Sequence, residues 1–161
     1  MTELDAFDLK ILRCLQHDAR LSHVALSDKV ALSPSQCSRR LARLESAGLI
    51  RGYAVQLDPD QLGLGVVALV SISLEHHGEG SAAAFHAAIM ALPEVTECAL
   101  VTGDADYLLR IVAPDLKAFS RFVLDALMTI PGVATLRSSI VLQEIKARTP
   151  LPLDLVNTKQ K

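Results

Sequence analysis

Ser33-Pro34-Ser35-Gln36-Cys37-Ser38-Arg39-Arg40-Leu41-Ala42-Arg43-Leu44-Glu45-Ser46-Ala47-Gly48 is the stretch on which the fold turns. It opens with a helix-capping serine, a proline at the first helical position and a glutamine three residues after the cap, the pattern of a capping box. Cys37, Leu41 and Leu44 recur at i, i+4 and i+7 and predict one buried face, and Gly48 suits the position just past a helix end. The opposite face presents Ser35, Ser38, Arg39, Ala42 and Arg43.

Working upstream, Leu4, Phe7/Asp8, Ile11/Leu12 and Leu15 give a first helix with one apolar face. Ser22 is a good cap for a short second helix carrying Leu26 and Val30. Only Ala31 and Leu32 separate that helix from the third, so the pair reads as a helix-turn-helix whose second helix can lie in a major groove. Downstream, Leu49 to Leu57 is β-prone and reads as a small wing or hinge strand before Asp58-Pro59.

From Val66 the apolar period changes from helix to strand, with Val66, Ala68, Val70, Ile72 and Leu74 alternating against Val67, Leu69, Ser71 and Ser73. Ser81 is expected to cap a helix carrying Phe85, Ile89 and Leu92. Val95 to Thr102 and Tyr107 to Val112 read as a hairpin around Gly103-Asp104-Ala105. Asp115 precedes a helix with Leu116, Phe119, Val123, Leu127 and Ile130, and Val133 to Ile145 reads as the last strand. Leu92-Pro93-Glu94-Val95 and Ile130-Pro131-Gly132-Val133 form a weak internal repeat. The expected class is α+β: an N-terminal (winged) helix-turn-helix and a C-terminal ferredoxin-like βαββαβ domain. The boundaries read as residues 1–57 for the DNA-binding domain, 58–65 for a linker, 66–148 for the second domain and 149–161 for a tail. The sheet face bearing Val67 and Leu69 is too apolar for water, which predicts a self-associating dimer.

Composition narrows the function. With 161 residues, half of them hydrophobic and only eight Gly and seven Pro, the chain can bury a core and is neither disordered nor fibrous. Three scattered cysteines supply no disulfide framework and no CxxC metal site. The start lacks a basic, apolar leader, and no apolar run nears the roughly 20 residues that span a bilayer. A cytoplasmic, membrane-free location is expected. Net charge is −2, yet residues 1–57 carry a basic surplus of two, and Ser33 to Arg51 holds four Arg against one Glu. A basic patch confined to one segment is an electrostatic footprint for nucleic acid, although a solvated helix face has the same composition.

Other motifs carry little chemistry. Gly63-Leu64-Gly65-Val66-Val67-Ala68 matches a dinucleotide fingerprint but follows a linker and opens a strand, the wrong context. Asp104 and Asp106 have no accompanying His, Lys or metal spacing, so a surface turn is the simpler reading and a small-ligand site the next. His76-His77 reads as a solvated loop pair rather than a metal site, and Cys37 as a packing residue. No cofactor, no metal and no enzyme is expected. On the third helix, Arg39, Arg40 and Arg43 are candidates for phosphate and guanine contacts, and Ser35, Gln36 and Ser38 lie where base edges are reached; Ser33 and Arg51 complete the candidate DNA-binding set. Gln36 is equally suited to the capping box, and Arg40 to a structural role.

Taken in order, Leu4-Asp5-x-x-Asp8-x-x-Ile11-Leu12, Leu15-Gln16-x-Asp18-Ala19-Arg20, Leu32-Ser33-Pro34 and Arg40-x-x-Arg43-Leu44-Glu45-x-x-Gly48-x-Ile50-x-Gly52-Tyr53 resemble the leucine-responsive/AsnC (feast/famine) transcriptional regulators. Val101 to Leu109 resembles that family's ligand-domain hairpin, and Ile130 to Val133 its last helix-to-strand junction. The resemblance spans residues 4–148. It departs at Ala31, where the family's turn usually has Gly; an Ala at positive φ costs on the order of 1 kcal/mol. The resemblance implies a regulator of transcription on double-stranded, pseudo-palindromic operators. It also implies a C-terminal domain that dimerises, often assembles to octamers, and binds a small effector, usually an amino acid. Carried over by position, the effector residues are Thr102, Gly103, Asp104, Asp106 and Tyr107, with Leu116, Ser139 and Ile140 nearby, in a pocket between dimers. The competing reading is an amino-acid sensor or enzyme modulator whose helical domain binds protein.

Overall fold

The structure, a computed structural model, describes residues 3–75, 79–147 and 149–156. The chain divides into two compact units, Met1–Gln56 together with Lys146–Lys161, and Leu57–Ile145. The first unit holds α1 (Ala6–His17), α2 (His23–Val30) and α3 (Pro34–Ser46). Each helix starts where a short polar side chain can take an orphan backbone N–H. Asp5 caps α1 in a box with Asp8, Ser22 caps α2 by accepting from Ala25, and Ser33 caps α3 in a box with Gln36. The end of α3 closes as a Schellman turn: Gly48, at φ 71°, donates to the Glu45 carbonyl and Leu49 donates to that of Leu44. Ile11, Leu26, Val30, Cys37 and Leu44 form the core of this unit, all fully buried.

Ala31 takes the left-handed conformation at φ 57°, ψ 47°, between α2 and α3. It is the one non-glycine residue at positive φ in the described chain. The turn therefore keeps the geometry that usually goes to Gly, with Ala31 and Leu32 both donating to the Ser27 carbonyl.

The second unit contains β1 (Val66–Leu74), α4 (Glu79–Met90), β2 (Val95–Leu100), β3 (Tyr107–Ala113), α5 (Leu116–Phe122) and β4 (Val133–Ile140). Its four strands lie in the order β2-β3-β1-β4, every neighbouring pair antiparallel. That is the ferredoxin-like βαββαβ arrangement. Alternation places Ala68, Val70, Ile72 and Leu74 of β1 and Tyr107, Leu109, Ile111 and Ala113 of β3 in the core, against Phe85, Ile89, Phe119, Leu127 and Ile130. A π-helical turn over Val123–Leu127 extends α5, its excess residue taken up by the Met128 N–H to Val123 carbonyl bond of 2.9 Å.

Four expectations shift. Leu49 to Leu57 forms no strand in the described chain, because no second segment among the described residues offers a ladder to its alternating Tyr53, Val55 and Leu57, all exposed. The helix expected to start at Ser81 starts at Glu79, with Ser81 inside its first turn. The last strand stops at Ile140 rather than Ile145, once its pairing with β1 runs out at Ala68. The hairpin strands also differ by a residue or two: β2 ends at Leu100 rather than Thr102, and β3 runs on to Ala113. The segment after β4 carries a short 3-10 turn, Leu153–Leu155, that belongs with the helical unit. There Gln16 of α1 bonds both backbone groups of Leu151, and Arg13 pairs with Asp154.

Candidate functional site

The outward face of α3 is built by its cap and its period. Ser35, Gln36, Arg39, Ala42 and Arg43 are exposed and Ser38 is half-buried, while Cys37 and Leu44 point into the core. Gln36 does work at the cap: its Oε1 accepts from the Ser33 N–H at 3.0 Å and from the Ser33 hydroxyl at 3.1 Å. The Ser33 Oγ lies 3.1 Å from that of Ser35. Arg51 is exposed beyond the helix end. Tyr53 is tied back by a 2.8 Å hydrogen bond to the Glu45 carboxylate; burial and that carboxylate push the phenol up to about 12.

Two of the four arginines have partners on α1. Arg40 Nη1 donates to Asp5 Oδ2 at 2.7 Å and to Asp8 Oδ1 at 2.8 Å, and Arg43 Nη2 donates to Asp8 Oδ2 at 2.5 Å. The Arg40 guanidinium also lies 5.5 Å from the Phe7 ring centroid, within cation–π range. Asp8 is fully buried and in addition accepts from the Asp5 backbone N–H at 3.0 Å. Burial pushes its carboxyl up, and Arg43, the Asp5 N–H and Arg40 more than offset this, so the group sits below the ordinary aspartate value. Arg39 and Arg51 have no ion-pair partner among the described residues.

In the second unit the hairpin turn folds over the end of β1. Gly103 sits at φ 119°, and the Ser73 hydroxyl donates to the Asp104 carbonyl at 3.4 Å. Asp104 and Ala105 face Ser71, Ser73, Thr135 and Arg137 across a cleft of about 320 Å³ on the sheet's open face. Asp106 and Tyr107 are occupied within the fold. The Asp106 carboxylate accepts from the Leu74 N–H at 2.8 Å, and its own N–H donates to the Ile72 carbonyl at 3.0 Å. Tyr107 is buried, its ring 4.5 Å from Phe85 and its hydroxyl 3.0 Å from His86 Nε2.

Leu116, Ser139 and Ile140 lie elsewhere. Leu116 follows the strand end where Ala113 pairs with Val66, whereas the hairpin begins where Tyr107 pairs with Ile72. Six strand positions separate those pairs, about 20 Å along the sheet. Ser139 pairs with Leu69, midway between those ends, and Ile140 with Ala68, one position nearer the Leu116 end. Within one chain Leu116 lies at the far end of the sheet from the hairpin set.

Residues 4–51 match the winged helix-turn-helix DNA-binding family, and residues 67–151 match the Lrp/AsnC ligand binding domain. The Bkd operon transcriptional regulator of Pseudomonas aeruginosa is 43% identical over 153 residues, covering 95% of this chain and all of the relative. The chain belongs to the Lrp/AsnC family of transcriptional regulators. The leucine-responsive regulatory protein of Escherichia coli is 40% identical over 89% of this chain and 88% of its own length. A Neisseria meningitidis transcriptional regulator, solved as a complex with L-methionine, superposes with a TM-score of 0.90 at 46% identity, covering 94% of this chain and 97% of the other. This Lrp/AsnC chain is thus a DNA-binding regulator with a separate ligand-binding domain, and its relatives are regulators rather than enzymes.

Several residues that the structure places beside the α3 face and the hairpin cleft carry little signal in the sequence. Asp8 was legible only as a helix residue, since its partners lie 32 and 35 positions away. Ser71, Ser73, Thr135 and Arg137 carry the signal of alternation alone, at i and i+2 on two strands that pair Ser71 with Arg137 and Ser73 with Thr135. His76 and His77 lie outside the described residues. Among those described, no group of His, Cys, Asp and Glu could hold a metal ion, and no helix is long and apolar enough to cross a membrane.

Proposed function

We propose that this regulator acts in the cytoplasm as a homodimer, assembling further to an octamer, on a pseudo-palindromic operator, and that a free amino acid sets its assembly or DNA affinity. The α3 face docks in the major groove: Ser35 and Ser38 reach base edges, with Gln36 held at the cap, while Arg39 and Arg51 supply unpaired charge to phosphates. Arg40 and Arg43 contribute from their paired positions, and Ser33 through the cap. The exposed Leu69 and Leu108 on the open face of the sheet support dimerisation there.

The observation that carries the effector reading is the cleft beside the hairpin, where Asp104 and Arg137 face each other among three hydroxyl side chains. An α-ammonium suits the carboxylate and an α-carboxylate suits the guanidinium. Thr102, Gly103, Asp104 and the Asp106–Tyr107 strand start form one part of the site. Leu116, with Ser139 and Ile140, of a second copy supplies the rest, a reading supported by the separation of Leu116 from the hairpin within one chain. The methionine complex of the Neisseria relative favours an amino acid of medium apolar side chain. Calorimetry against the twenty amino acids tests the reading: saturable binding that weakens in an Arg137→Ala chain supports it, and no binding by any of them overturns it.

A further inference from the structure

Asp5, Asp8, Arg40 and Arg43 form one electroneutral cluster beside the exposed face of α3. Its members do not share the solvent equally: the Asp8 side chain is 1% exposed, Arg40 24% and Arg43 46%. Asp5, Arg39, Arg40 and Arg43 bound a cleft of about 290 Å³ at the surface. The Asp8 carboxylate thus sits behind the arginines while Asp5, 51% exposed, stands beside them at the surface, and Asp8 is held in place by three donors, two of them guanidinium groups.

We propose that Asp8 is a positioning residue for DNA recognition, which clamps Arg43 and Arg40, cancels their charge toward the phosphate backbone and fixes the direction of their remaining donors. The proposal rests on the docking of α3 given above. A guanidinium is a planar fork, so one nitrogen fixed on Asp8 sets the fan of the others. A carboxylate 2.5 Å from that nitrogen lies well inside the Debye length of about 10 Å at 0.1 M salt, so an approaching phosphate meets the pair and not a free cation. Free charge binds every sequence alike, whereas a directed donor discriminates. Sequence discrimination by α3 therefore depends on a residue of α1.

Charge counting makes the test sharp. In D8N the cluster gains one positive charge, in R43Q it loses one, and the double variant returns to neutral. Binding of an operator duplex and of a scrambled duplex is measured across a salt series. D8N is expected to steepen the log K against log salt slope on scrambled DNA by about 0.9, which is about an eight-fold gain at 0.1 M relative to 1 M salt. The operator complex gains less, so the ratio of operator to scrambled affinity falls. R43Q flattens the slope by a similar amount, and the double variant restores the slope without restoring the ratio. Where D8N lost its fold by circular dichroism, D5N carries the same test on Arg40, since Asn caps α1 as well as Asp. If the folded D8N chain keeps the wild-type slope and ratio, or if D5N, which strips a carboxylate from Arg40 in the same way, keeps both, carboxylate pairing does not tune these arginines and the proposal is overturned. If instead R43Q leaves affinity and slope on both duplexes unchanged, the docking of α3 itself is wrong.

Discussion

The Asp8 carboxylate joins the first helix to the third by accepting the Arg43 Nη2 at 2.5 Å from within the protein interior. Replacing Asp8 by Ala removes one half of the capping box and leaves Arg40 and Arg43 without their shared acceptor. The expected loss is about 1–3 kcal/mol in the helical unit. The folded carboxyl lies below the unfolded value of about 3.9, so its stabilisation is complete above that pH and is lost as pH falls through the folded value. Urea unfolding from pH 7 to pH 2 should show the wild-type and Asp8→Asn curves converging below pH 4. A gap that stays constant over that whole range would exclude the linkage.

Ala31→Gly is expected to stabilise the helical unit. Ala31 holds φ 57° with a Cβ that the left-handed region disfavours, and Gly removes that cost of about 1 kcal/mol, less some unfolded-state entropy. A unit of this size then melts several degrees higher. Ala31→Val, branched at Cβ, should lower the melting temperature instead. A glycine variant that melts below wild type would show that the turn conformation carries no strain.

The helix-turn-helix was legible because its signals are local. Ser33 and Gln36 lie three residues apart, Cys37 and Leu44 seven, and caps and helical period depend on nothing further away. The ferredoxin-like order was legible for the same reason, from alternation on β1 and β3 and the two Pro-containing junctions. Asp8, Asp106 and Tyr107 were not legible in their roles. Asp106 next to an aromatic suggested a ligand turn, whereas its acceptor position is taken up by the backbone of Leu74, 32 residues earlier. The strand expected over Leu49 to Leu57 does not form among the described residues for a complementary reason. Alternation at Tyr53, Val55 and Leu57 marks a strand only when a partner strand exists, and none of the described residues is paired with it.

Asp106 therefore has a structural part that must be separated from any part in ligand binding. Asp106→Ala strips the Leu74 N–H of its acceptor, with an expected cost of about 1–2 kcal/mol to the second unit. Asp106→Asn keeps an acceptor oxygen and loses the charge, so it should retain most of that stability. Thermal unfolding of the two variants distinguishes them. Equal melting temperatures for both variants and wild type would remove the structural role.

The effector site should depend on protein concentration. Asp104 and Leu116 stand at opposite ends of one sheet, with six strand positions between the flanking pairs Ile72–Tyr107 and Val66–Ala113. No single amino acid bridges about 20 Å, so a site using both ends needs two copies of the chain. Effector binding and assembly are then linked, and the linkage is reciprocal: whatever factor the effector adds to assembly, assembly adds to effector affinity. Calorimetric titration of an amino acid at a series of protein concentrations, matched to sedimentation at the same concentrations, measures both factors. Affinity should fall as dilution dissociates the assembly, and Leu116→Asp, at an exposed position outside the core, should weaken binding without unfolding the domain. An affinity independent of dilution through the dissociation range would place the whole site in one chain. The cleft of Asp104 and Arg137 would then hold the ligand alone.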